Sequence, residues 1–424
     1  MDRILLGREA SAPTSFGFDS HRQVNAGELV AYDGDAPVTI IAPTGSGKGR
    51  DVLIPLLLTH TGPVVVIDLK GELSAVTARR RRSMGHQVAV IDPFGITGKP
   101  SDRLDPFEIF RLPGSIVECD AEMFASMLNQ GHGCDDDPFW DDTGSSLIAG
   151  LIAIWASMPD IGTSGLVFLR DQLFNDDAIY SMALLLDNFG RLNEFGYREV
   201  AGFMQHPEKE TRPCVLAVAK TFMRALTAPQ VAACLDRPTV TLKDVRDGAP
   251  LDIFVVIPPE KVISHAGLLR MLVGSLVTTI LRRTEIPDRR TLMVLDEAAQ
   301  LGKEFAPLLT ASTLMRGYGL QLVTAWQDLA QIKSRYKTDW ATILNNSGAL
   351  LTFGMGHWAA AKDAAEMLGW EPMELLKLRP DEAVLAVRGE PTRKVKRLNY
   401  LGDAMFAGLA DENPYHARRR VKGI

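Results

Sequence analysis

The sequence has few cysteines, and their spacing makes neither a disulfide framework nor a zinc site. The 424 residues include four of them, at Cys119, Cys134, Cys214 and Cys234, and no Cys-x-x-Cys pair occurs. A reducing compartment is therefore expected. His132 shares a loop with Cys134 and three aspartates, but two potential ligands are too few to predict a metal site.

Long apolar runs are missing as well. The stretch 146–158 is too short for a transmembrane helix, and Arg270 interrupts the stretch 266–281. The charged amino terminus surrounds an apolar stretch that is too short for a signal peptide. These features predict a cytosolic molecule or a soluble fragment of a longer one.

The chain also lacks an excess of positive charge. Its 46 Lys and Arg residues against 52 Asp and Glu residues leave a net charge of −6, so no global field attracts nucleic acid. A local basic channel is still compatible with this balance. Two basic clusters occur, Arg79–Arg82 and Arg418–Lys422. Consecutive arginines on a helix point in different directions, so a solvated face or compensation of the helix dipole is the preferred interpretation, with direct DNA contact as the alternative.

What the chain does contain is a glycine-rich turn behind an apolar run. The run 37–41 predicts a buried strand, and Ala-Pro-Thr-Gly-Ser-Gly-Lys-Gly follows it at 42–49, before a helical stretch. Such a turn presents backbone N–H groups to phosphate oxygens, while its lysine reaches the outer ones. The residues predicted to bind a nucleotide here are Thr44, Gly45, Ser46, Gly47, Lys48 and Gly49.

This turn departs twice from the common pattern G-x-x-x-x-G-K-[ST]. Ala42 stands in place of the first glycine, and Gly49 stands in place of the hydroxyl residue that ordinarily binds magnesium. Water or the hydroxyl of Thr44 is expected to take over that contact.

A second apolar run ends in two acids. The run 291–295 predicts a buried parallel strand, and Asp296 and Glu297 follow it directly. Ligands bind at the carboxyl ends of such strands. Asp296 is therefore predicted to hold the magnesium shell, and Glu297 to polarise the attacking water as general base. Together with Lys48 the pair indicates an ATPase-type site, although acids in this position also cap helices.

Further polar residues follow other predicted strands. Asp68 and Glu72 are expected either to tune the metal shell or to cap the following helix. Gln327 follows the run 320–326, where motor ATPases keep a sensor of the γ-phosphate. Arg316 precedes that run; it is either an arginine finger for a neighbouring subunit or a surface arginine at a helix end.

The order of elements predicts an α/β fold with an inserted helical domain. Strands alternate with helices up to about residue 92, which implies right-handed crossovers and a mostly parallel sheet. Helical periodicity then dominates, before strands resume at 251–257, 291–295, 320–325, 348–353 and 384–388. The predicted domains are therefore 1–112 with 241–424 for nucleotide binding, and 113–240 as the all-α insertion.

The set of motifs resembles that of the type IV secretion coupling proteins, the TraG/TraD-like conjugation ATPases. Five segments carry the likeness, within a match from about Val30 to Tyr400: 42–49, Asp-Leu-Lys-Gly-Glu at 68–72, Asp-Pro-Phe at 92–94, Asp-Glu-Ala-Ala-Gln-Leu-Gly at 296–302, and Gln-Asp-Leu-Ala-Gln at 327–331. The resemblance implies a RecA-like P-loop nucleotide-binding domain, with the roles already described for Lys48, Asp296, Glu297, Gln327 and Arg316. It also implies ATP and Mg²⁺ as cofactors.

The same resemblance implies partners and a place in the cell. Six subunits would form a ring that engages single-stranded DNA, while a purified chain could be monomeric. The all-α domain would dock a relaxase, its relaxosome or secreted effector proteins. Components of the type IV secretion channel would be further partners, at the cytoplasmic face of the bacterial inner membrane.

One departure and two alternatives accompany this interpretation. Members of the family usually begin with two transmembrane helices, so this chain is expected to be a soluble fragment or a short form with a separate membrane partner. A DNA pump of the FtsK/HerA kind would share the nucleotide core without needing the insertion at 113–240, which favours the coupling protein. A nucleotide-gated cargo adaptor with little turnover is the other alternative.

Overall fold

The computed structural model describes residues 3–10, 27–129, 138–158, 162–187 and 192–415. The chain divides into two compact units, of which the first comprises Met1–Lys99, Asp247–Pro259 and Thr284–Ile424. The second comprises Pro100–Arg246 and Glu260–Arg283. These limits differ from the predicted boundaries at 113 and 240, because the second unit starts earlier and takes in a later segment. The predicted domain assignment stays a prediction.

Within the described residues, the first unit contains one mixed sheet. Its strands are β1 (Ile4–Glu9), β2 (Leu29–Tyr32), β3 (Val38–Ile41), β4 (Val64–Asp68), β5 (Gln87–Ile91), β6 (Leu251–Val256), β7 (Thr291–Leu295), β8 (Leu320–Trp326), β9 (Ala349–Phe353), β10 (Glu382–Val387) and β11 (Arg393–Lys396). They lie in the order β2-β1-β11-β10-β9-β3-β8-β7-β4-β6-β5. The strands from β9 to β5 run parallel, and the others join antiparallel. The predicted α/β class with a mostly parallel sheet is confirmed.

The helices of the described residues are short, apart from a few in the second unit. They are α1 (Ile54–Thr59), α2 (Glu72–Ser83), α3 (Val117–Leu128), α4 (Phe139–Ala156), α5 (Gly165–Phe174), α6 (Ala178–Leu186), α7 (Glu194–Gln205), α8 (Thr211–Met223), α9 (Pro229–Cys234), α10 (Leu242–Arg246), α11 (Pro259–Val262), α12 (Ala266–Leu281), α13 (Ala306–Thr313), α14 (Leu329–Arg335), α15 (Trp340–Asn346), α16 (Trp358–Leu368) and α17 (Pro372–Leu376). None of the helices described is both long and apolar enough to cross a lipid bilayer.

The central strands of the sheet are apolar because both faces are covered. Every residue of β3, β4, β7 and β8 is buried, as expected for parallel strands between helical layers. Because β3 and β7 both pair with β8 in parallel, the carboxyl ends of these three strands lie at one edge of the sheet. The loops that follow these three strands build the site described below.

The second unit contains only helical elements among its described residues, and α4 lies at its centre. Helix α4 packs on α3, α7 and α8. Glycines allow a close approach: a Cβ on Gly196 of α7 would lie 2.8 Å from the carbonyl oxygen of Gly150 in α4. An aromatic cluster extends this core, with the rings of Phe107 and Phe124 4.6 Å apart and Trp155 edge-on to Phe107.

Candidate active site

The glycine-rich loop follows β3 at the centre of the sheet. Gly45 and Gly47 adopt φ angles of +77° and +99°, which L-residues with a Cβ rarely take. A Cβ on Gly45 would have nothing within 4 Å, whereas one on Gly47 would lie 2.9 Å from Oδ2 of Asp51. The loop leads into a π-helical turn, Gly49–Leu53, and then into α1. Six of the seven residues predicted to bind a nucleotide, those at 44–49, thus form this loop, and the seventh, Asp68, follows β4.

Lys48 connects this loop to the two acids behind β7. Its Nζ donates to the backbone oxygen of Asp296 at 2.6 Å and to Oε2 of Glu297 at 2.9 Å. The Oδ1 of Asp296 lies 3.5 Å from the same nitrogen. Burial is the main cause that raises the pKa of Asp296, and the charge of Lys48 opposes it. The structure therefore brings Lys48, Asp296 and Glu297 together at the edge where parallel strands bind ligands.

The two acids do not cap the short helical turn that follows them. Glu297 precedes the 3₁₀ turn Ala298–Leu301 and makes no side-chain hydrogen bond to its backbone. Its second carboxylate oxygen, Oε1, instead accepts a hydrogen bond of 3.0 Å from Nε2 of Gln331. Both carboxylate oxygens of Glu297 are thus hydrogen-bonded, and these two bonds fix the orientation of the carboxylate.

Gln331 also ties this carboxylate to the loop behind β8. Its Oε1 accepts from the backbone N–H of Gln327 at 2.9 Å, and its own N–H donates to the capping residue Asp328 at 2.7 Å. The side chain of Gln331 therefore connects the backbone of the predicted sensor Gln327 to the carboxylate of Glu297. Sequence reasoning placed Gln331 in a motif without assigning it a role, and its membership of that motif was the available signal.

Asp68 is the last residue of β4, and its carboxylate binds the backbone of the segment that follows. It is fully buried and accepts hydrogen bonds from the backbone N–H groups of Glu72 at 3.1 Å and Ser74 at 2.9 Å, at the start of α2. Burial raises the pKa of Asp68 to about 7, against the opposing effect of hydrogen bonds from Ser74 and Lys70. Of the two roles expected for this residue, helix capping is the one visible in its contacts.

The outer side of the phosphate loop contacts residues from the end of the chain. Arg397 donates from Nη1 to the backbone oxygen of Ser46 at 2.9 Å, and its Nη2 lies 2.7 Å from Oδ2 of Asp51. Its guanidinium lies 4.1 Å from the centre of the Phe353 ring. Sequence reasoning missed Arg397, because its partners are some 350 residues away and no local pattern marks it.

Arg316 does not join this group within the chain. It lies in a 3₁₀ turn before β8, whereas the phosphate loop lies behind the carboxyl ends of the strands. The seven residues of β8 separate the two positions by about 20 Å. The side chain of Arg316 is 57% exposed, and its nearest acid is Asp35 at 3.8 Å.

The arginine cluster 79–82 corrects one expectation. Arg79 pairs with Asp411 at 2.5 Å, and Arg82 is exposed, but Arg81 is fully buried against Asp252 at 2.7 Å. The interpretation as a solvated face or helix-dipole compensation is therefore wrong for Arg81. The second cluster at 418–422 and the loop residues His132 and Cys134 lie outside the described residues.

The residues of the loop fit a phosphate group. Gly45 and Gly49 have open space around them, and the hydroxyl oxygen of Ser46 is buried without a hydrogen-bond partner among the described residues. Asp296 adds a carboxylate of the kind that magnesium takes alongside phosphate oxygens in nucleotide sites. Among the described residues, no group of three or more His, Cys, Asp or Glu side chains converges on a metal position.

Comparison with protein families agrees with this site. The model of the family "Type IV secretory system Conjugative DNA transfer" matches residues 8–371, which include the phosphate loop, the acid pair and Gln331. The chain belongs to this family. The resemblance inferred from the motifs is thereby confirmed.

Curated members of the conjugative DNA transfer family match over much of the chain. The conjugal transfer protein TraG of Escherichia coli is 26% identical over 321 residues, which are 72% of this chain and 50% of that protein. TraG of Agrobacterium fabrum is 28% identical over 98% of this chain and 69% of its own length. Protein VirD4 of the same species is 22% identical over 87% of the chain. The chain spans about half the length of the first of these relatives.

Solved structures share the fold at low sequence identity. The plasmid coupling protein TrwB, in complex with the non-hydrolysable ATP analogue ADPNP, superposes with a TM-score of 0.64 at 17% identity, covering 85% of this chain and 84% of TrwB. Another TrwB structure contains ADP and Mg²⁺. VirB4 of Thermoanaerobacter pseudethanolicus covers 97% of this chain with a TM-score of 0.54 and 15% identity. These likenesses show the architecture of the chain.

Proposed function

We propose that this chain is the ATP-hydrolysing part of a coupling protein that brings cargo to a type IV secretion channel and helps to drive its transfer. One observation carries the proposal: Lys48, Asp296 and Glu297 meet at the carboxyl ends of the parallel strands β3 and β7, which lie on either side of β8, with Glu297 oriented by Gln331. Membership of the conjugative DNA transfer family supports the biological setting. The nucleotide complexes of TrwB support ATP as the ligand.

In this proposal the phosphate loop binds the triphosphate through the backbone N–H groups of residues 45–49. Asp296 would hold Mg²⁺, which neutralises charge on the phosphate oxygens when it is bound. Lys48 is attracted by those oxygens as well as by Glu297, which lies 2.9 Å from its Nζ. Binding of phosphate therefore draws Lys48 away from Oε2 of Glu297.

Glu297 then acts as the general base. Its Oε1 stays hydrogen-bonded to Gln331, so Oε2 is the oxygen that becomes available to accept a proton from water. The loop containing Gln327 is connected to this carboxylate through Gln331. A change at the γ-phosphate is thus passed to α14, which begins directly behind this loop.

Arg316 is proposed to serve a neighbouring subunit. Its exposed position before β8, away from the phosphate loop of its own chain, suits a residue that completes another site. A homo-hexameric ring would place it there, so that hydrolysis needs assembly. The chain can still be a monomer when purified.

Single-stranded DNA, a relaxase or relaxosome, secreted effectors and channel components are the proposed partners, at the cytoplasmic face of the inner membrane. The names of the TraG relatives, which are conjugal transfer proteins, support this setting. The overall charge of −6 predicts that contact with DNA phosphates is local. Such binding is sequence-tolerant and weakens steeply with salt.

ATP hydrolysis with and without single-stranded DNA tests the proposal. Lys48→Ala is expected to abolish nucleotide binding, and Glu297→Gln to retain binding while turnover falls by at least about a hundredfold. Lys362→Ala serves as a control, because Lys362 is exposed and its ion pair is with Glu366 on its own helix. An intact chain that binds ATP but shows no turnover under any DNA condition contradicts the motor and favours a nucleotide-gated adaptor.

A further inference from the structure

Arg397 holds one peptide group of the phosphate loop from outside. The carbonyl oxygen of Ser46 accepts a hydrogen bond of 2.9 Å from its Nη1. In a trans peptide the carbonyl and the following N–H point in opposite directions. The bond from Arg397 therefore directs the N–H of Gly47 away from the arginine, toward the other side of the loop.

Several contacts fix the position of the Arg397 side chain. Its side chain is 5% exposed, its Nη2 pairs with the buried Asp51 at 2.7 Å, and its guanidinium carbon lies 4.1 Å from the ring centre of Phe353 at the end of β9. Asp51 is shared, because Arg50 also pairs with it at 2.5 Å. A hydrogen bond to Ser46, an ion pair with Asp51 and a contact with the Phe353 ring thus hold the planar guanidinium of Arg397 against the loop.

Gly47 is the residue at which this support matters. With φ at +99°, its backbone is in a region open to glycine, where the preceding peptide group can rotate at little cost. The space on its arginine side is filled, since a Cβ there would lie 2.9 Å from Asp51 and 3.5 Å from Nη2 of Arg397. An outside contact is therefore what selects one orientation of this peptide.

We propose that Arg397 is a positioning residue for nucleotide binding, which keeps the N–H of Gly47 directed at the phosphates. This rests on the proposed function of the loop as a phosphate site. Arg397 lies beyond residue 371, where the match to the conjugative DNA transfer family ends, so the family pattern does not assign it this role.

The test is titration of a fluorescent ADP derivative with Mg²⁺ into wild type, Arg397→Met, Arg397→Lys and Arg393→Met. Arg393 is the matched control, because it lies on β11 close by but pairs with Glu390 and Glu9 at the surface. Arg397→Met is expected to raise the Kd for ADP by about tenfold or more with unchanged binding stoichiometry. The lysine variant is expected to fall between, since it keeps the charge without the fork.

A merely structural role would lower the folded fraction, and thus the stoichiometry, while the Kd of the remaining molecules stays that of wild type. That result overturns the proposal, as does a wild-type Kd in Arg397→Lys if the methionine variant does not fold. A different result contradicts the proposed ATPase function: a wild type that binds ADP but does not hydrolyse ATP in the presence of DNA. A wild type that does not bind ADP removes both.

Discussion

Glu297 is the residue whose two oxygens have different partners. Oε2 faces Lys48, which phosphate can attract, and Oε1 faces the amide of Gln331, which nothing charged displaces. This asymmetry separates a switchable contact from an orienting one. It makes Gln331 a residue whose loss should affect turnover more than nucleotide affinity.

Gln331→Ala is expected to lower kcat about tenfold with a small change in the KM for ATP, because Glu297 loses the bond that orients it. Gln205→Ala, in the exposed last turn of α7, is the control. Steady-state kinetics decide this, and a wild-type kcat in Gln331→Ala contradicts the orienting role.

Asp68 predicts a pH dependence of stability. Its folded pKa of about 7 lies above the ordinary aspartate pKa of 3.8, so the folded state binds the proton more tightly than the unfolded chain. Between pH 4 and 7 this group lowers the free energy of unfolding as pH rises, by up to about 1.4 kcal/mol per unit. In denaturant unfolding across this range, wild type should lose stability relative to Asp68→Asn as pH rises, because only the wild-type side chain titrates. A constant difference contradicts the shift.

At the scale of elements, the phosphate loop contains glycines with different tolerances. Gly47 has φ at +99° and a filled side, whereas a Cβ on Gly49 would meet nothing within 4 Å. The conformation of the loop therefore depends on position 47 and leaves room at position 49.

Gly47→Ala is expected to weaken ADP binding at least tenfold and to cost about 1–3 kcal/mol of stability, because its backbone becomes strained. Gly49→Ala is the matched control in the same loop, and it is expected to fold with nearly wild-type stability. Thermal melting and ADP titration measure both effects. Equal losses in the two variants would mean that the filled side of Gly47 is irrelevant.

The elements also differ in how well the sequence predicts them. Strands β3, β4, β7 and β8 were predictable because burial on both faces leaves an apolar run ending in polar residues. Strands β2 and β11, in the antiparallel part of the sheet, were not. β11 reads Arg-Lys-Val-Lys with one buried residue, and β2 has one buried residue in four. Such short strands with little burial contain no apolar run, so their sequences look like loops.

The same distinction holds within the candidate site. Residues 44–49 and the acids 296–297 are local patterns, so spacing alone predicts their grouping at one edge. Gln331 and Arg397 act through partners far away in sequence, and no period or motif of their own reveals those partners. Arg81 was misjudged for the same reason, because its acid is on β6.

At the scale of the whole molecule, the role proposed for Arg316 would make activity depend on assembly. In a ring, a chain without a working phosphate loop can still lend its arginine to a neighbour, and a chain without the arginine can still bind nucleotide. A site formed between two such chains then has a working phosphate loop from one subunit and a working arginine from the other.

Mixtures of Lys48→Ala and Arg316→Ala are therefore expected to hydrolyse ATP faster than either variant alone, and wild-type activity per chain should rise with concentration. Arg316→Ala alone should bind ADP like wild type. Arg170→Ala, an exposed arginine of α5 whose pair is the neighbouring Asp171, is the control. Mixtures no more active than the sum of their parts argue against a shared site.

The pairing of β1 with β11 has a consequence for how the protein is made. Arg8 lies opposite Lys396, so the first strand finds its second neighbour only after the chain has been synthesised as far as β11. At a ribosomal rate of about 5–20 residues per second, β1 waits on the order of tens of seconds with one edge open. Arg397 follows β11 directly, so the phosphate loop receives this contact equally late in synthesis. A nascent chain stalled before residue 393 should therefore be more sensitive to protease in β1 than the released protein.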